Sequence, residues 1–133
     1  MGCLFCEIIK KEKSAQIIYE DDHILAILDV FPRAKGHTMV LPKKHCENIL
    51  DLEDEEIKPV FEGVKKVTGL LKQKLGCSGF TIGINHGKVS QQVIDHLHIH
   101  IIPRWEGDGG GSIHSVVNNP PKESLEEIKN LII

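Results

Sequence analysis

The sequence has 133 residues, the size of a single domain with one hydrophobic core. Its 16 Lys and Arg residues and 19 Asp and Glu residues give a formal net charge of −3, which argues against a protein that binds nucleic acid through a basic surface. From this charge we expect no nucleic-acid partner. No apolar run approaches the roughly 20 residues of a membrane span, so we also expect no membrane partner and a cytoplasmic location.

The first half of the chain predicts a short helix and three strands. A helix is expected over residues 6–11, and strands are expected over residues 16–20, 23–29 and 37–41. Asp21 and Asp22 separate the first two strands and indicate a hairpin, and Pro32 lies in the loop that precedes the third strand.

The second half predicts the longest helix and two more strands. Residues 51–75 carry valine and leucine at helical spacing, and Gly76 stands where a C-terminal stop belongs. Pro59 lies inside this pattern, which would allow the first turns to form a separate short piece. Two strands are predicted over residues 80–85 and 94–103, and a terminal helix over residues 124–133.

The short links between neighbouring strands require antiparallel pairing. The predicted fold class is therefore α+β, with a five-stranded antiparallel sheet, one long helix and one or two short helices. We expect one domain over residues 1–133, in which residues 106–133 form a variable C-terminal loop and tail. The glycine-rich part of that loop, residues 106–112, is expected to be mobile.

Histidine is unusually frequent, with eight residues, and three of them alternate with aliphatic residues in the last predicted strand. Since side chains in a strand alternate between its faces, His96, His98 and His100 are expected to share one face. Such a row could be a polar strand face that happens to be rich in histidine, a metal site, or a site of nucleophilic or acid–base catalysis. The unbroken aliphatic face opposite makes the first alternative the weakest.

The His-x-His-x-His pattern of residues 96–100 resembles the signature of the histidine-triad family of nucleotidyl hydrolases and transferases. Other blocks resemble segments of that family in the same order: residues 3–9 (Cys-Leu-Phe-Cys-Glu-Ile-Ile), 29–32 (Asp-Val-Phe-Pro) and 36–45 (Gly-His-Thr-Met-Val-Leu-Pro-Lys-Lys-His), with Asn85, Gly87 and Gln92. The resemblance covers about residues 3–105. It implies the fold of that family and a homodimer with one continuous sheet.

The resemblance also implies a role for each matching residue. His98 would be the nucleophile that attacks the α-phosphate of a nucleotide conjugate, forming a nucleotidyl-histidine that water hydrolyses to a nucleoside monophosphate. Donors to the phosphate would come from four side chains: His37, His100, Asn85 and Gln92. Asp29 would accept hydrogen bonds from the ribose hydroxyls. Candidates for an apolar slot around a purine base are Phe5, Ile8, Ile18, Leu28 and Val30.

A metal site is implied beside the catalytic one. Cys3, Cys6, His45 and His96 match the zinc ligands of many prokaryotic family members, and two sulfurs with two nitrogens suit a structural zinc ion. His96 would then serve the metal, while His98 serves the chemistry. The open alternative is a metal held by the three alternating histidines themselves. The remaining histidines and cysteines are expected at the surface (His23, His86, His114) or in the core (Cys46, Cys77).

Two positions depart from the family pattern and bear on the substrate. Gln91 stands where a glycine is common, and Val93 stands where phosphoramidase members carry a serine that can pass a proton to the leaving group. The departure at Val93 weakens a purine nucleoside phosphoramidate as substrate and leaves a dinucleoside polyphosphate, such as diadenosine tetraphosphate, at least as favoured. The alternative function is a module that binds or senses purine nucleotides with little turnover. Trp105 and the glycine-rich loop are expected to influence specificity.

Overall fold

The frame of the molecule is a five-stranded sheet, seen in a computed structural model that describes residues 2–133. The strands are β1 (Ile17–Glu20), β2 (Ile24–Leu28), β3 (Thr38–Pro42), β4 (Gly79–Gly83) and β5 (Ile99–Arg104). The helices are α1 (Leu4–Ile9), α2 (Asp54–Leu75) and α3 (Leu125–Ile132), with 3₁₀ turns at Lys88–Ser90 and Ile113–Ser115. The strands lie in the order β1-β2-β3-β5-β4 and all pair antiparallel, which confirms the predicted α+β class.

Both faces of the sheet carry apolar side chains, because neighbouring residues of a strand point to opposite faces. In β2, Ile24 packs into the larger core cluster beneath α2, whereas Leu25 packs into a smaller cluster beneath α1. The smaller cluster consists of Phe5, Ile8, Leu25, Ile27, Met39 and Leu41. The short helix α1 thus closes the second face and brings the N-terminal cysteines towards the sheet.

The long helix α2 is continuous through Pro59. The expectation of a separate first piece is therefore wrong, and the helix begins at Asp54 rather than at residue 51. Proline removes one N–H from the helix, and here the carbonyl left over belongs to the exposed Glu55 near the N-terminus, where water can satisfy it. The predicted stop is confirmed, since Gly76 is left-handed and its N–H donates to the carbonyl of Lys72.

The last predicted strand is shorter than expected. The strand β5 begins at Ile99, so His96 and His98 lie in the segment before it. A tight turn interrupts the expected strand, because the N–H of His96 donates to the carbonyl of Ile94 at 2.8 Å. The alternation nevertheless persists into this segment, where Leu97 is buried in the same core cluster as Ile99.

Most of the chain after β5 is exposed to solvent, whereas Trp105 and Ile128 are partly buried. Its glycine-rich loop is held by Arg104, whose guanidinium donates to Asp108 Oδ2 at 2.7 Å and to the carbonyl of Gly111 at 2.7 Å. This guanidinium holds the pKa of the Asp108 carboxyl well below its usual range. The terminal helix α3 begins with a capping box between Ser124 and Glu127. Within residues 2–133, no helix is both long enough and apolar enough to cross a membrane.

Two glycines of α2 make a matched test of how tightly the helix packs on the sheet. A Cβ at the buried Gly63 would lie 2.8 Å from Ile24 Cγ1, whereas a Cβ at the exposed Gly69 would meet nothing within 4 Å. Gly69→Ala should therefore raise the free energy of unfolding by about 0.5–1 kcal/mol, through helix propensity alone. Gly63→Ala should lower it by about 1 kcal/mol, because overpacking costs about 1–3 kcal/mol and exceeds the same gain.

Urea unfolding of both variants measures this difference. If Gly63→Ala proves as stable as Gly69→Ala, the close contact between α2 and β2 is contradicted.

Candidate active site and metal cluster

A cavity of about 440 Å³ opens on the α1 face of the sheet, and we call it the His98 cavity. It brings together most of the residues that the sequence singled out: Phe5, Ile8, Leu28, Asp29, Val30, Asn85, His98 and His100. Its base is mainly apolar, while the histidines and the carboxylate lie on one side. A largely apolar pocket with a few converging polar groups is the usual form of a small-molecule site.

The ring of His98 lines this cavity, and a hydrogen bond to the backbone defines the tautomer of its neutral form. Its Nδ1 lies 2.7 Å from the backbone carbonyl oxygen of His96, so Nδ1 carries the proton and donates it. The other nitrogen, Nε2, therefore holds a free lone pair. The ring of Phe5 packs edge-on against the imidazole, with ring centroids 5.1 Å apart, and keeps it in this orientation.

His37 and His100 form a hydrogen-bonded pair whose tautomers follow from the backbone. The N–H of Arg33 donates to His37 Nδ1 at 3.1 Å, so the proton of a neutral His37 ring is on Nε2. His37 Nε2 donates to His100 Nδ1 at 2.9 Å, which leaves the proton of His100 on its Nε2. This last N–H is buried and has no hydrogen-bond partner among residues 2–133. The His98 and His100 rings are neighbours, with centroids 5.1 Å apart, and both line the His98 cavity.

Both members of the pair are neutral near pH 7. Burial lowers the pKa of His100 to about 4, and the neighbouring His98 and His37 act in the same direction. Burial also lowers the pKa of His37, although the nearby Asp29 carboxylate opposes the shift. Asp29 Oδ2 lies 3.4 Å from His37 Nε2, while its Oδ1 accepts from the N–H of Phe31 at 2.8 Å. The pair therefore supplies a neutral donor rather than a positive charge.

Three of the predicted residues take other positions. His37 does not line the His98 cavity and lies behind His100, so it can act on a ligand only through that ring. Gln92 was expected to donate to phosphate, but its Nε2 donates to the carbonyls of Glu47 and Ile94, and its Oε1 accepts from the N–H of Gly87. Both N–H groups of this buried amide are therefore used within the protein, where they stabilise the loop between β4 and β5. Ile18 packs against the larger core cluster on the opposite face of the sheet.

The cavity also contains residues that the sequence did not assign to it. Gln91 and Val93 line the wall beside His98, and both were noted only as departures from the family pattern. Ser14 and Ala15, in the connection between α1 and β1, line it as well. Nothing in the local sequence of this connection indicates a ligand site, because its position depends on how α1 docks against the sheet.

Cys3, Cys6, His45 and His96 converge at one end of α1, and we call them the metal cluster. Cys6 Sγ lies 3.3 Å from His45 Nδ1, Cys3 Sγ lies 3.4 Å from His96 Nδ1, and the two Nδ1 atoms are 3.0 Å apart. In a tetrahedral site with metal–sulfur distances of about 2.3 Å and metal–nitrogen distances of about 2.0–2.1 Å, the ligand atoms lie about 3.3–3.8 Å from one another. These four residues could hold a metal ion with little movement.

The hydrogen bond behind His96 supports the same conclusion. His96 Nε2 lies 2.8 Å from the carbonyl oxygen of Pro42 and donates to it, so Nδ1 offers its lone pair to the cluster. Burial lowers the pKa of His96 to about 4, which keeps the ring in the neutral form that a metal requires. Asp29, His37 and His100 also lie close enough to share an ion, but the 2.9 Å hydrogen bond within the pair accounts for their approach.

Comparisons with known proteins agree with this architecture. The sequence model of the HIT domain family matches residues 10–107. An uncharacterized HIT-like protein of Methanocaldococcus jannaschii is 48% identical over 128 residues, covering 96% of this chain and 98% of that protein. The adenosine 5′-monophosphoramidase hnt1 of Schizosaccharomyces pombe is 36% identical over 104 residues, covering 78% of this chain and 75% of the enzyme.

A solved structure is similar to this chain in both fold and sequence. The crystal structure of a Zn-bound histidine triad family protein from Mycobacterium smegmatis superimposes with a TM-score of 0.77 and 35% sequence identity. The match covers 82% of this chain and 79% of that protein. At this level of identity the likeness extends beyond the fold to the family.

The neutral His100 ring predicts how stability responds to acid. Its pKa is about 4 when folded and about 6.5 when unfolded, so the unfolded chain takes up a proton first as the pH falls. The resulting stability is present above pH 6.5 and is lost as the pH falls from 6.5 towards 4. In His100→Asn, an amide oxygen can still accept from His37 but cannot titrate. Between pH 7 and pH 5, wild type should lose up to about 2 kcal/mol more unfolding free energy than this variant.

Denaturant unfolding at the two pH values gives the comparison, with His86→Ala, at an exposed histidine, as the control that should follow wild type. Equal losses in wild type and His100→Asn would contradict a neutral, buried His100.

Proposed function

The chain belongs to the HIT domain family, and from this premise we propose that it is a hydrolase that cleaves nucleotide conjugates at the α-phosphate. The observation that carries the proposal is the placement of two complementary atoms in the His98 cavity. His98 Nε2 offers a lone pair to phosphorus, and the buried N–H of the neighbouring His100 ring, whose centroid is 5.1 Å from that of His98, has no partner within residues 2–133. A phosphate oxygen is the acceptor that would satisfy this N–H.

The first step would be nucleophilic substitution at phosphorus. His98 Nε2 attacks the α-phosphorus, an Nε2–P bond forms, and the bond to the leaving group breaks with its electron pair moving onto that group. Positive charge develops on the imidazole during this attack. The Nδ1–H of His98 spreads that charge towards the carbonyl oxygen of His96, so the backbone supports the intermediate.

The second step would be hydrolysis of the nucleotidyl-histidine. Water attacks phosphorus and releases a proton to solvent, the Nε2–P bond breaks with its electron pair returning to the ring, and a nucleoside monophosphate is released. In both steps His100 donates to the phosphate oxygens, and one donor of this kind is typically worth about 3–4 kcal/mol of transition-state stabilisation. His100 would stabilise the phosphate oxygens by hydrogen bonding rather than by positive charge. The proposed site is therefore compatible with a chain whose formal net charge is −3.

The rest of the cavity suits a nucleoside. The apolar wall formed by Phe5, Ile8 and Leu28 fits a planar purine base, and Asp29 Oδ2 is positioned to accept from ribose hydroxyls. The substrate class we propose is a dinucleoside polyphosphate or a purine nucleoside phosphoramidate. The resemblance to a monophosphoramidase supports the second of these, while Val93 at the cavity wall argues for the first.

We further propose that the metal cluster holds a structural zinc ion, which the donor set and the Zn-bound relative support. Zinc would tie the first turn of α1 to the loop after β3 and to the segment before β5. A homodimer with a continuous sheet also remains a proposal, in which one of the two edge strands, β1 or β4, would pair with its counterpart. A cytoplasmic location stays a prediction.

The proposed function is tested by replacing the nucleophile. His98→Ala should reduce kcat for the preferred substrate on the order of 10³-fold or more, as losses of catalytic nucleophiles do. Wild type should be assayed with dinucleoside polyphosphates, phosphoramidates and nucleotide sugars, with products identified by mass. Quenched wild-type samples should show one added nucleotidyl group on a peptide containing His98.

His23→Ala, at an exposed histidine outside the His98 cavity, serves as the control and should retain activity. Binding of purine nucleotides without turnover of any conjugate would instead favour a sensing module.

The metal cluster is tested by its own variants. Cys6→Ser should lose zinc and unfold at a lower temperature, because metal binding free energy contributes directly to folding. His98→Ala should retain zinc, since His98 Nδ1 is bonded to the backbone and the ring faces the cavity. Elemental analysis of the purified proteins measures both, with the buried Cys77→Ala as a thiol control. Loss of zinc in His98→Ala would favour a metal held by the three alternating histidines.

A further inference from the structure

Gln91 has a backbone conformation that its side chain disfavours. Its φ is 64° and its ψ is 38°, in the left-handed region, directly after the 3₁₀ turn Lys88–Ser90. Residues other than glycine adopt this region uncommonly, and such outliers concentrate at functional sites, where the surrounding structure maintains the strain. Glycine would fit this position without strain.

The turn itself does not require a glutamine side chain. The N–H of Gln91 donates to the carbonyl of Lys88 at 2.9 Å, and the N–H of Gln92 donates to the carbonyl of Gly87 at 3.1 Å. The side chain of Gln92 fixes the loop by donating a hydrogen bond to the backbone carbonyl of Glu47. Gln91, by contrast, is exposed, lines the His98 cavity, and takes part in none of the side-chain hydrogen bonds found within residues 2–133. Its amide is available to a ligand.

The wall around Gln91 favours one kind of leaving group. Val93, which lines the same wall, is 89% exposed and has no proton to give. The amides of Asn85 and Gln91 donate hydrogen bonds but do not transfer protons. An amine expelled from a phosphoramidate must gain a proton, whereas a polyphosphate departs as a stable anion that hydrogen-bond donors can bind directly.

We propose that Gln91 is a specificity-determining residue whose Nε2–H₂ binds phosphate oxygens of a polyphosphate leaving group. The inference rests on the proposed function and narrows its substrate class to phosphoanhydrides such as dinucleoside polyphosphates. As His98 Nε2 bonds to the α-phosphorus, the P–O bond to the leaving group breaks, and its electron pair remains on the departing oxygen. Gln91 holds oxygens that already carry charge before the reaction, so its contribution is mainly to binding.

The experiment compares two substrates across three proteins. Wild type, Gln91→Gly and Gln91→Ala are assayed with diadenosine tetraphosphate and with adenosine phosphoramidate. We expect wild type to prefer the tetraphosphate. Both variants should lose roughly tenfold or more in kcat/KM for the tetraphosphate, mostly through a higher KM, since a hydrogen bond to a charged group is lost. Their loss on the phosphoramidate should be clearly smaller.

Stability separates this role from a structural one. Gln91→Gly should unfold at the same or a higher denaturant concentration than wild type, because glycine relieves the left-handed strain. Lys11 is a matched control: its φ is 65°, it is exposed, and it lies outside the His98 cavity. Lys11→Gly should keep the substrate preference of wild type.

The possible failures are distinguishable. Equal losses on both substrates, or no loss on either, would overturn the role of Gln91 while leaving the hydrolase intact. A wild-type preference for the phosphoramidate would also overturn it. Wild-type protein that cleaves neither substrate would contradict the proposed function and this inference together.

Discussion

The two sites of the molecule meet at one residue, His96, and its hydrogen bonds set the chemistry of both. Its Nε2 donates to the carbonyl of Pro42 at 2.8 Å, which turns the lone pair of Nδ1 towards Cys3, Cys6 and His45. Its own carbonyl oxygen accepts from Nδ1 of His98 at 2.7 Å, which frees Nε2 of that ring for a phosphorus atom. The position of the His96 backbone therefore determines both the metal ligand and the tautomer of the proposed nucleophile. A metal ion bound to His96 would hold that backbone in place from outside the cavity.

The proposed donor to phosphate, His100, depends on a second fixed arrangement, the pairing of β3 with β5. In that pairing Met39 lies opposite His100, and His37 immediately precedes β3, so the two rings come within hydrogen-bonding distance. The backbone of Arg33 sets the tautomer of His37, and His37 in turn sets that of His100. Burying neutral rings in this chain costs far less than burying imidazolium ions. The arrangement thus provides a directed N–H without the desolvation cost of a charge.

Much of this could be predicted from the sequence, because alternation and helical spacing are local properties. The alternation over residues 96–101 predicted which side chains share a face, and it holds even where the backbone is not a strand. What the sequence could not supply depends on contacts between distant segments. The tight turn at Ile94 shortens β5, and Arg104 anchors a loop whose glycines alone predicted no anchor. His37 matched a family position, but only the fold places it behind His100.

Gln91 and Gln92 show why residue type alone does not determine a role. They are adjacent and chemically identical, and the family pattern drew attention to Gln92. The left-handed φ of Gln91 reverses the direction of the chain between them, so one amide is buried and uses both of its donors on backbone carbonyls, while the other lines the cavity. The strain at Gln91 is thus coupled to the anchoring of Gln92, and glycine would satisfy the backbone equally well. The proposed contact of the Gln91 side chain with a polyphosphate is therefore what would favour glutamine over glycine at this position.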